Sequence, residues 1–468
     1  MNKNKPERFL LLFIPWALSL LLLANPLLSY LIAWLGSFFI FFIAIKGLIK
    51  PVPNDLKFSE QLMRPLFLPH IIFAGYMSCT SIFYFMNILG YESFEAPGYN
   101  YLVDEALLDL TAQCQRYYCL AHAAFVTGIL VHMDYSQKSR YHLNIKDTAS
   151  FLLISALVLL PFSAVFLLIP GLKQFYIQFQ SLSFIAGTLA FAFAIPLKKP
   201  GNTILCAILF FTNVSQAFLS GFKEPILISF LVLGIFLYPF YKKLVLFTFI
   251  PLIFILFLLL PTYARVFRAN AWSGEESSEN ASGIAVDAVL NQSEEEADES
   301  NWAFLTNRLS EIGMFTIYAS STPSKIDYYD FEIAKQALVV IVPRVLWPGK
   351  PSPEEIVMER VYVAGVVNRG SNVSAKPPLI VDAYLSGGNL GIMIILFLYG
   401  SIMQLLSVKA EKLFGGYIIG TAFIFSGLFQ IMWRGNSLEF LSNTIMWSCI
   451  SMILIFYALK SYRIIKEI

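Results

Sequence analysis

Charge is what this chain has least of. Only 14% of its 468 residues are Asp, Glu, Lys or Arg, too few to give a soluble protein of this length a polar surface. Its formal net charge of +2 excludes the basic surplus on which nucleic-acid binding draws. Histidine is rarer still. His70, His122, His132 and His142 are the whole set, and neither HExxH nor Asp-x-Asp occurs, so no metal centre or cofactor is expected. The five cysteines, Cys79, Cys114, Cys119, Cys206 and Cys449, lie in or beside apolar runs without a CxxC pair and read as small hydrophobes.

Apolar sequence fills the space that charge leaves. Hydrophobic residues make up 57% of the chain, 43 of them Phe, which places it among all-α polytopic integral membrane proteins. A window of about 20 apolar residues per crossing predicts about twelve transmembrane helices. They cover 9–24, 28–45, 66–89, 107–131, 149–169, 179–197, 202–220, 225–241, 244–262, 389–407, 414–432 and 438–459. The first follows Lys3, Lys5 and Arg8 as a signal peptide would, but no small-residue cleavage site is evident and a second span follows at once.

The distribution of Lys and Arg orients these spans. Alternate connections carry Lys46, Lys50, Lys57 and Arg64; Lys138, Arg140 and Lys146; Lys198 and Lys199; Lys242 and Lys243; Lys409 and Lys412; and Lys460, Arg463 and Lys466. The intervening short connections hold only Lys173, Lys223 and Arg434, and the connection 90–105 is acidic. Both termini are therefore expected in the cytoplasm. A nine-span region, 1–262, is then followed by one large external loop, 263–388, between spans 9 and 10, and by a three-span region, 389–468. An enzyme on the outer face has no access to ATP or nucleotide sugars and must use donors that arrive activated, of which lipid-linked ones are the usual kind.

Composition divides the loop. Residues 273–300 are rich in Ser and Glu and poor in large apolar residues, which predicts a disordered acidic excursion. From Trp302 aromatic and aliphatic residues return, and 302–388 is expected to be a folded cap, with short helices around 303–318 and 330–342. Within it, Pro343, Pro348, Pro351 and Pro353 forbid a helix interior, Gly349 permits a turn, and Trp347 offers something large to bury. Arg344 and Lys350 would be held stiffly on such a scaffold, as a polyanionic ligand requires, and Arg369 and Lys376 extend the cationic stretch. Lys223 and Arg434 carry positive charge on the outer side against the topology bias, which marks both as candidate ligand contacts. Arg116 lies seven residues after Asp109 on nearly the same helix face, so it is either an internal ion pair or a ligand site.

These features resemble the Wzy-type oligosaccharide repeat-unit polymerases of O-antigen, enterobacterial common antigen, capsule and exopolysaccharide. The run from Val342 through Pro343, Arg344, Leu346, Trp347, Pro348, Gly349, Lys350 and Pro351 to Ser352 is similar to the Pro-x-x-Leu-Trp-Pro-Gly-basic-Pro-Ser segment of the common-antigen polymerases. The approach to span 10, Pro377 to Gly388 with Asp382, and the outer turns at Lys223 and Arg434-Gly435 add to the likeness. Lys223 departs from the family's Arg and removes a bidentate phosphate fork.

The resemblance implies a GT-C-like glycosyltransferase of the bacterial inner membrane, with the large loop in the periplasm. It would move a growing glycan from undecaprenyl diphosphate onto the next lipid-linked repeat unit, by a metal-independent inverting displacement. Fixed cations would stabilise charge developing on the departing diphosphate, with Arg344, Lys350, Arg369, Lys223, Arg434, Arg308 and Arg116 as candidates beside Trp347. Asp382 and Glu224 are the carboxylates placed to act as general base, or else as arginine partners. Implied partners are the lipid-linked glycan, the bilayer, a chain-length-determining co-polymerase and a flippase. An O-antigen ligase shares the architecture and differs in acceptor. A flippase or transporter would show two similar halves, and no internal repeat is present.

Overall fold

This computed structural model describes residues 6–136, 139–169, 171–198, 200–344, 346–371 and 374–468. Lys3, Lys5, Lys138 and Lys199 of the charge pattern and Val345 of the loop motif lie outside them. Among the described residues every regular element is helical except one small ladder, Tyr141–Leu143 antiparallel to Ile465–Glu467. Eight helices are long and apolar enough to cross a membrane: Pro26–Ile45, Leu68–Ile88, Thr148–Val165, Lys173–Ala194, Pro200–Phe218, Lys242–Ala271, Gly388–Leu413 and Leu438–Ser461. The protein is thus a polytopic helical membrane protein.

The other four predicted spans are helical but miss that standard for identifiable reasons. The first is split into Pro6–Phe13 and Ile14–Leu20, and Lys223–Leu237 has 15 residues. The segment 414–432 is divided among Ile418–Phe425, Ser426–Leu428 and the start of Ile431–Arg434. Glu105–His132 is long, with 28 residues, yet too polar. It is a central helix, and several of its polar groups are met by protein rather than by lipid. Gln115 donates to the Ser78 carbonyl at 3.0 Å, His122 and His70 share a proton across 2.7 Å, and Arg116 donates to Ser29 Oγ at 2.9 Å. Glycine lets a neighbour close on it: a Cβ at Gly128 would lie 2.1 Å from the Phe397 carbonyl, and one at Gly400 equally near that of Phe125.

Connections that the charge pattern assigns to one side meet in space. At one end Arg64 is fully buried between Asp55 and Glu411, holding each carboxylate through two hydrogen bonds, with its guanidinium 3.7 Å from the Tyr135 ring centre. The ladder of 141–143 with 465–467 joins two more connections assigned to that side. The turns at 219–224 and 429–437 meet each other and the 263–388 segment at the opposite end.

That segment departs from expectation twice. Residues 273–300 are not a disordered excursion, because Ser278–Asn291 and Glu294–Phe304 are helices. The Ser and Glu that argued for disorder start them. Ser277 and Ser293 are N-caps, and Ser293 with Glu296 forms a reciprocal capping box. The small residues Ala281 and Ala285 are buried against the end of Lys242–Ala271, with Tyr263 and Phe267. The second departure is depth. Trp302 Nε1 donates to Asn87 at one end of Leu68–Ile88, at 2.9 Å, whereas the Arg308 carbonyl accepts from Tyr76, eleven residues further along that helix, at 3.2 Å. At 1.5 Å per residue, 302–308 runs about 9 Å alongside the span instead of lying above it as a cap.

Candidate functional site

At the foot of that descent the helix breaks. The π-helical turn Leu305–Leu309 ends, Glu311 takes left-handed backbone (φ 54°), and Ile312–Ser321 sets off as a new helix. A break at membrane depth frees backbone groups that lipid cannot satisfy. Two tyrosines supply the donors: Tyr76 reaches the Arg308 carbonyl, and the fully buried Tyr118 reaches that of Ser310 at 2.7 Å. Tyr76 itself lies in a π-helical turn, Gly75–Cys79. Single π-helical turns of this kind are frequent at functional sites.

Cations converge here. Lys223, Arg265, Arg268 and Arg308 line one cavity of about 400 Å³ with Phe304 and Asn307, and no carboxylate lines it. None of the four has an ion-pair partner among the described residues. Lys223 Nζ lies 3.7 Å from the Phe304 ring centre. Burial, reinforced by Arg268, Arg308 and Arg434, pushes its ammonium down to about 8. Local sequence builds the cavity wall. Gly221, at φ 70°, turns the chain where a Cβ would lie 2.6 Å from Phe267, and Arg268 Nε donates to the Gly221 carbonyl at 3.1 Å. Four like charges converging on one concave surface, two of them half-buried and two exposed, make a positive field that draws anions.

Beside this cavity Arg434 forms a 2.6 Å ion pair with Glu224, and its guanidinium lies 5.2 Å from the Tyr76 ring centre. Glu311 sits within the influence of Arg434, Tyr76 and Arg308, all of which oppose the burial that pushes its carboxyl up. Lys223, Arg434, Glu224 and Arg308, expected from distant parts of the sequence, are therefore brought together.

The other candidates are placed elsewhere. Lys350 is 4% exposed and turns inward, donating to the Val340 carbonyl at 2.6 Å and to that of Val342. It caps the C-terminal end of Glu332–Ile341, a role that suits a cation. Trp347, expected to bury itself in the turn, is 44% exposed, and the prolines beside it hold the turn without it. Arg344 is half-buried beside Lys350 and has no hydrogen-bond or ion-pair partner among the described residues. Arg369 is on the surface in a two-bond pair with Glu359, at 2.5 and 2.8 Å. Arg116 makes no ion pair with Asp109, because seven residues separate their Cα atoms by about 10 Å and Asp109 points outward.

Asp382 is fully buried and takes the arginine-partner alternative. It accepts from Arg360 at 3.0 Å and from the Leu438 backbone N–H at 2.7 Å, while Glu439 holds the other side of the same guanidinium. Burial pushes the Asp382 carboxyl up; Arg360 opposes the shift and Glu439 adds to it. With no exposed surface it cannot reach an acceptor hydroxyl, so the general-base role does not fit it.

Sequence reasoning missed Arg265, Arg268, Glu311 and Arg360. A signal existed for the first two, since they stand three residues apart just beyond the apolar run 244–262, on the side where the charge bias disfavours cations. Nothing in the local sequence marks Glu311 or Arg360.

The chain belongs to a family whose model, described as "Domain of unknown function (DUF8712)", matches residues 14–467. No curated protein and no solved structure matches it.

Proposed function

We propose that this protein transfers glycans between undecaprenyl-diphosphate-linked oligosaccharides on the outer face of a bacterial inner membrane, polymerising repeat units by inverting, metal-independent glycosyl transfer. One observation carries the reading: four cations without an ion-pair partner among the described residues line a cavity that no carboxylate lines, where a lipid anchor can stay in the bilayer while its diphosphate enters. Planar guanidinium forks match phosphate oxygens, and Arg265, Arg268 and Arg308 each provide one. In the proposed step a hydroxyl oxygen of the acceptor attacks the anomeric carbon. A new C–O bond forms as the bond to the diphosphate breaks, and the cations stabilise the charge left on the leaving group. The hydroxyl proton passes to a carboxylate, for which Glu224, adjacent to Lys223 in the chain, is the candidate, since Asp382 is fully buried.

The test uses purified protein with lipid-linked repeat units from the native host. A ladder of longer glycans and undecaprenyl diphosphate release supports the polymerase. One glycan moved onto a lipid-A core and no ladder would make it a ligase. Lipid carried across vesicles without either product would end the transferase reading.

A further inference from the structure

A second cavity, of about 360 Å³, lies on the other side of Lys223 and Glu224 and has a different chemistry. Lys223 lines the first cavity and Glu224 the second. Their Cα atoms are about 3.8 Å apart, so the two spaces share a wall at the first turn of Lys223–Leu237. In the second cavity the only charges are Glu224 and Arg434, which neutralise each other at 2.6 Å. The remaining polar lining is neutral: Gln178, Ser181, Gln430, Asn436 and Thr444.

These groups are not used up by the fold. Gln178 accepts from Ser448 through its carbonyl oxygen at 2.9 Å, which leaves its NH₂ group available. Asn436 uses its oxygen on the Ser437 N–H and likewise keeps its NH₂. The side chains of Gln430 and Thr444 have no hydrogen bond among the described residues. Amides and hydroxyls both donate and accept, as sugar hydroxyls do, and apolar side chains such as Ile177 and Leu428 offer surface to the C–H faces of a ring. A dianion gains nothing here, because the one cation is already paired.

We infer that this cavity is the acceptor subsite, taking the uncharged, polyhydroxylated end of a glycan, with Gln430 and Thr444 as specificity-determining contacts and Glu224 at the junction receiving the hydroxyl proton. The assignment rests on the glycosyl-transfer reading above. The donor diphosphate occupies the cationic cavity and the attacking sugar the neutral one, so the reacting atoms meet at the wall between them. Arg434 then acts on both sides. It holds Glu224 in place, and its charge bears on Lys223.

The test is the double variant Gln430→Leu with Thr444→Val, which preserves shape and removes hydrogen bonding. Two measurements are made on the full-length protein: binding of undecaprenyl diphosphate without a glycan, and ladder formation from host lipid-linked units over a range of concentrations. The expected result is a rise of about tenfold or more in KM for ladder formation, the loss of one or two hydrogen bonds to a neutral ligand, with undecaprenyl diphosphate affinity unchanged. Arg265→Ala should do the reverse and weaken undecaprenyl diphosphate binding. A double variant with wild-type KM overturns the assignment, as does one that loses both readouts together, because the cavities would then not be separate subsites. If wild-type protein makes no ladder, the underlying transfer reading fails and takes the subsite with it. A wild type that makes a ladder which the double variant matches rejects the subsite alone.

Discussion

Two arginine sites at the same end of this molecule are situated in opposite ways. Arg360 is 2% exposed and surrounded by compensation: Asp382, Glu439 and Gln336 all accept from it. Arg265, Arg268 and Arg308 share a cavity with Lys223 that no carboxylate lines, and none of them forms an ion pair among the described residues. The first is finished by folding, whereas the second is left for something else to finish. Compensation, rather than the number of cations or their place in a conspicuous motif, separates a structural pin from a site. The Pro-rich turn makes the same point, since Lys350 in it spends its charge on two carbonyls of its own chain.

The largest effect that would test this contrast is on Arg360. Arg360→Ala leaves two buried carboxylates facing each other without a cation, and breaking a buried pair in this way costs about 3–5 kcal/mol. The triad ties Pro353–Val363 and Leu379–Leu385 to the start of Leu438–Ser461. The expected outcome is loss of folded protein, seen as failure to accumulate in the membrane or as a sharply lowered unfolding temperature. Normal stability of this variant would break the comparison from the structural side.

Arg265→Ala and Arg268→Ala should behave oppositely. Each removes a like charge from a crowded cavity, so the unfolding temperature should hold or rise for Arg265→Ala and fall slightly for Arg268→Ala, which also loses the hydrogen bond to the Gly221 carbonyl, while undecaprenyl diphosphate binding falls by about 10- to 100-fold per lost charge-assisted contact. Binding measured by titration in detergent, beside a thermal melt of the same samples, checks both halves. Unchanged binding with lowered stability would make these arginines structural after all.

How much of this was legible in the sequence follows from the same distinction. The helical membrane class and the approximate spans came from apolar runs, which register burial in lipid directly. Lys223 and Arg434 stood out because they violate a charge bias, and the structure brings both to one place. Glu105–His132 was also found, although its polar residues are matched by contacts far apart in sequence that no window contains. The failures are of that kind too. Ser and Glu at 273–300 read as solvated because their role as helix caps depends on what the helices pack against. Asp382 looked exposed at the membrane edge because Arg360 and Glu439, 22 residues before it and 57 after it in the sequence, carry no mark of its burial. Trp347 stood out because large aromatics are usually buried, yet it is half open.

The smallest expected effect is a pH dependence, and it sharpens the electrostatic side of the contrast. Folding pushes Lys223 down to about 8, below its unfolded value of about 10.4. Between those two values the unfolded chain binds the extra proton, so this residue's contribution to stability improves as pH rises through that window. Anion binding runs the other way, because the diphosphate needs the charged ammonium. Affinity for undecaprenyl diphosphate should therefore decline as pH rises through about 8 and beyond, with the midpoint shifted upward as bound anion favours the proton. Lys223→Met should weaken binding at pH 7 by less than either Arg variant, since it removes one point charge and leaves three guanidinium forks. It should also flatten the pH dependence in this range. A Lys223→Met protein whose affinity still falls over the same pH interval would show that the titrating group lies elsewhere, and with it that Lys223 does not face the anion.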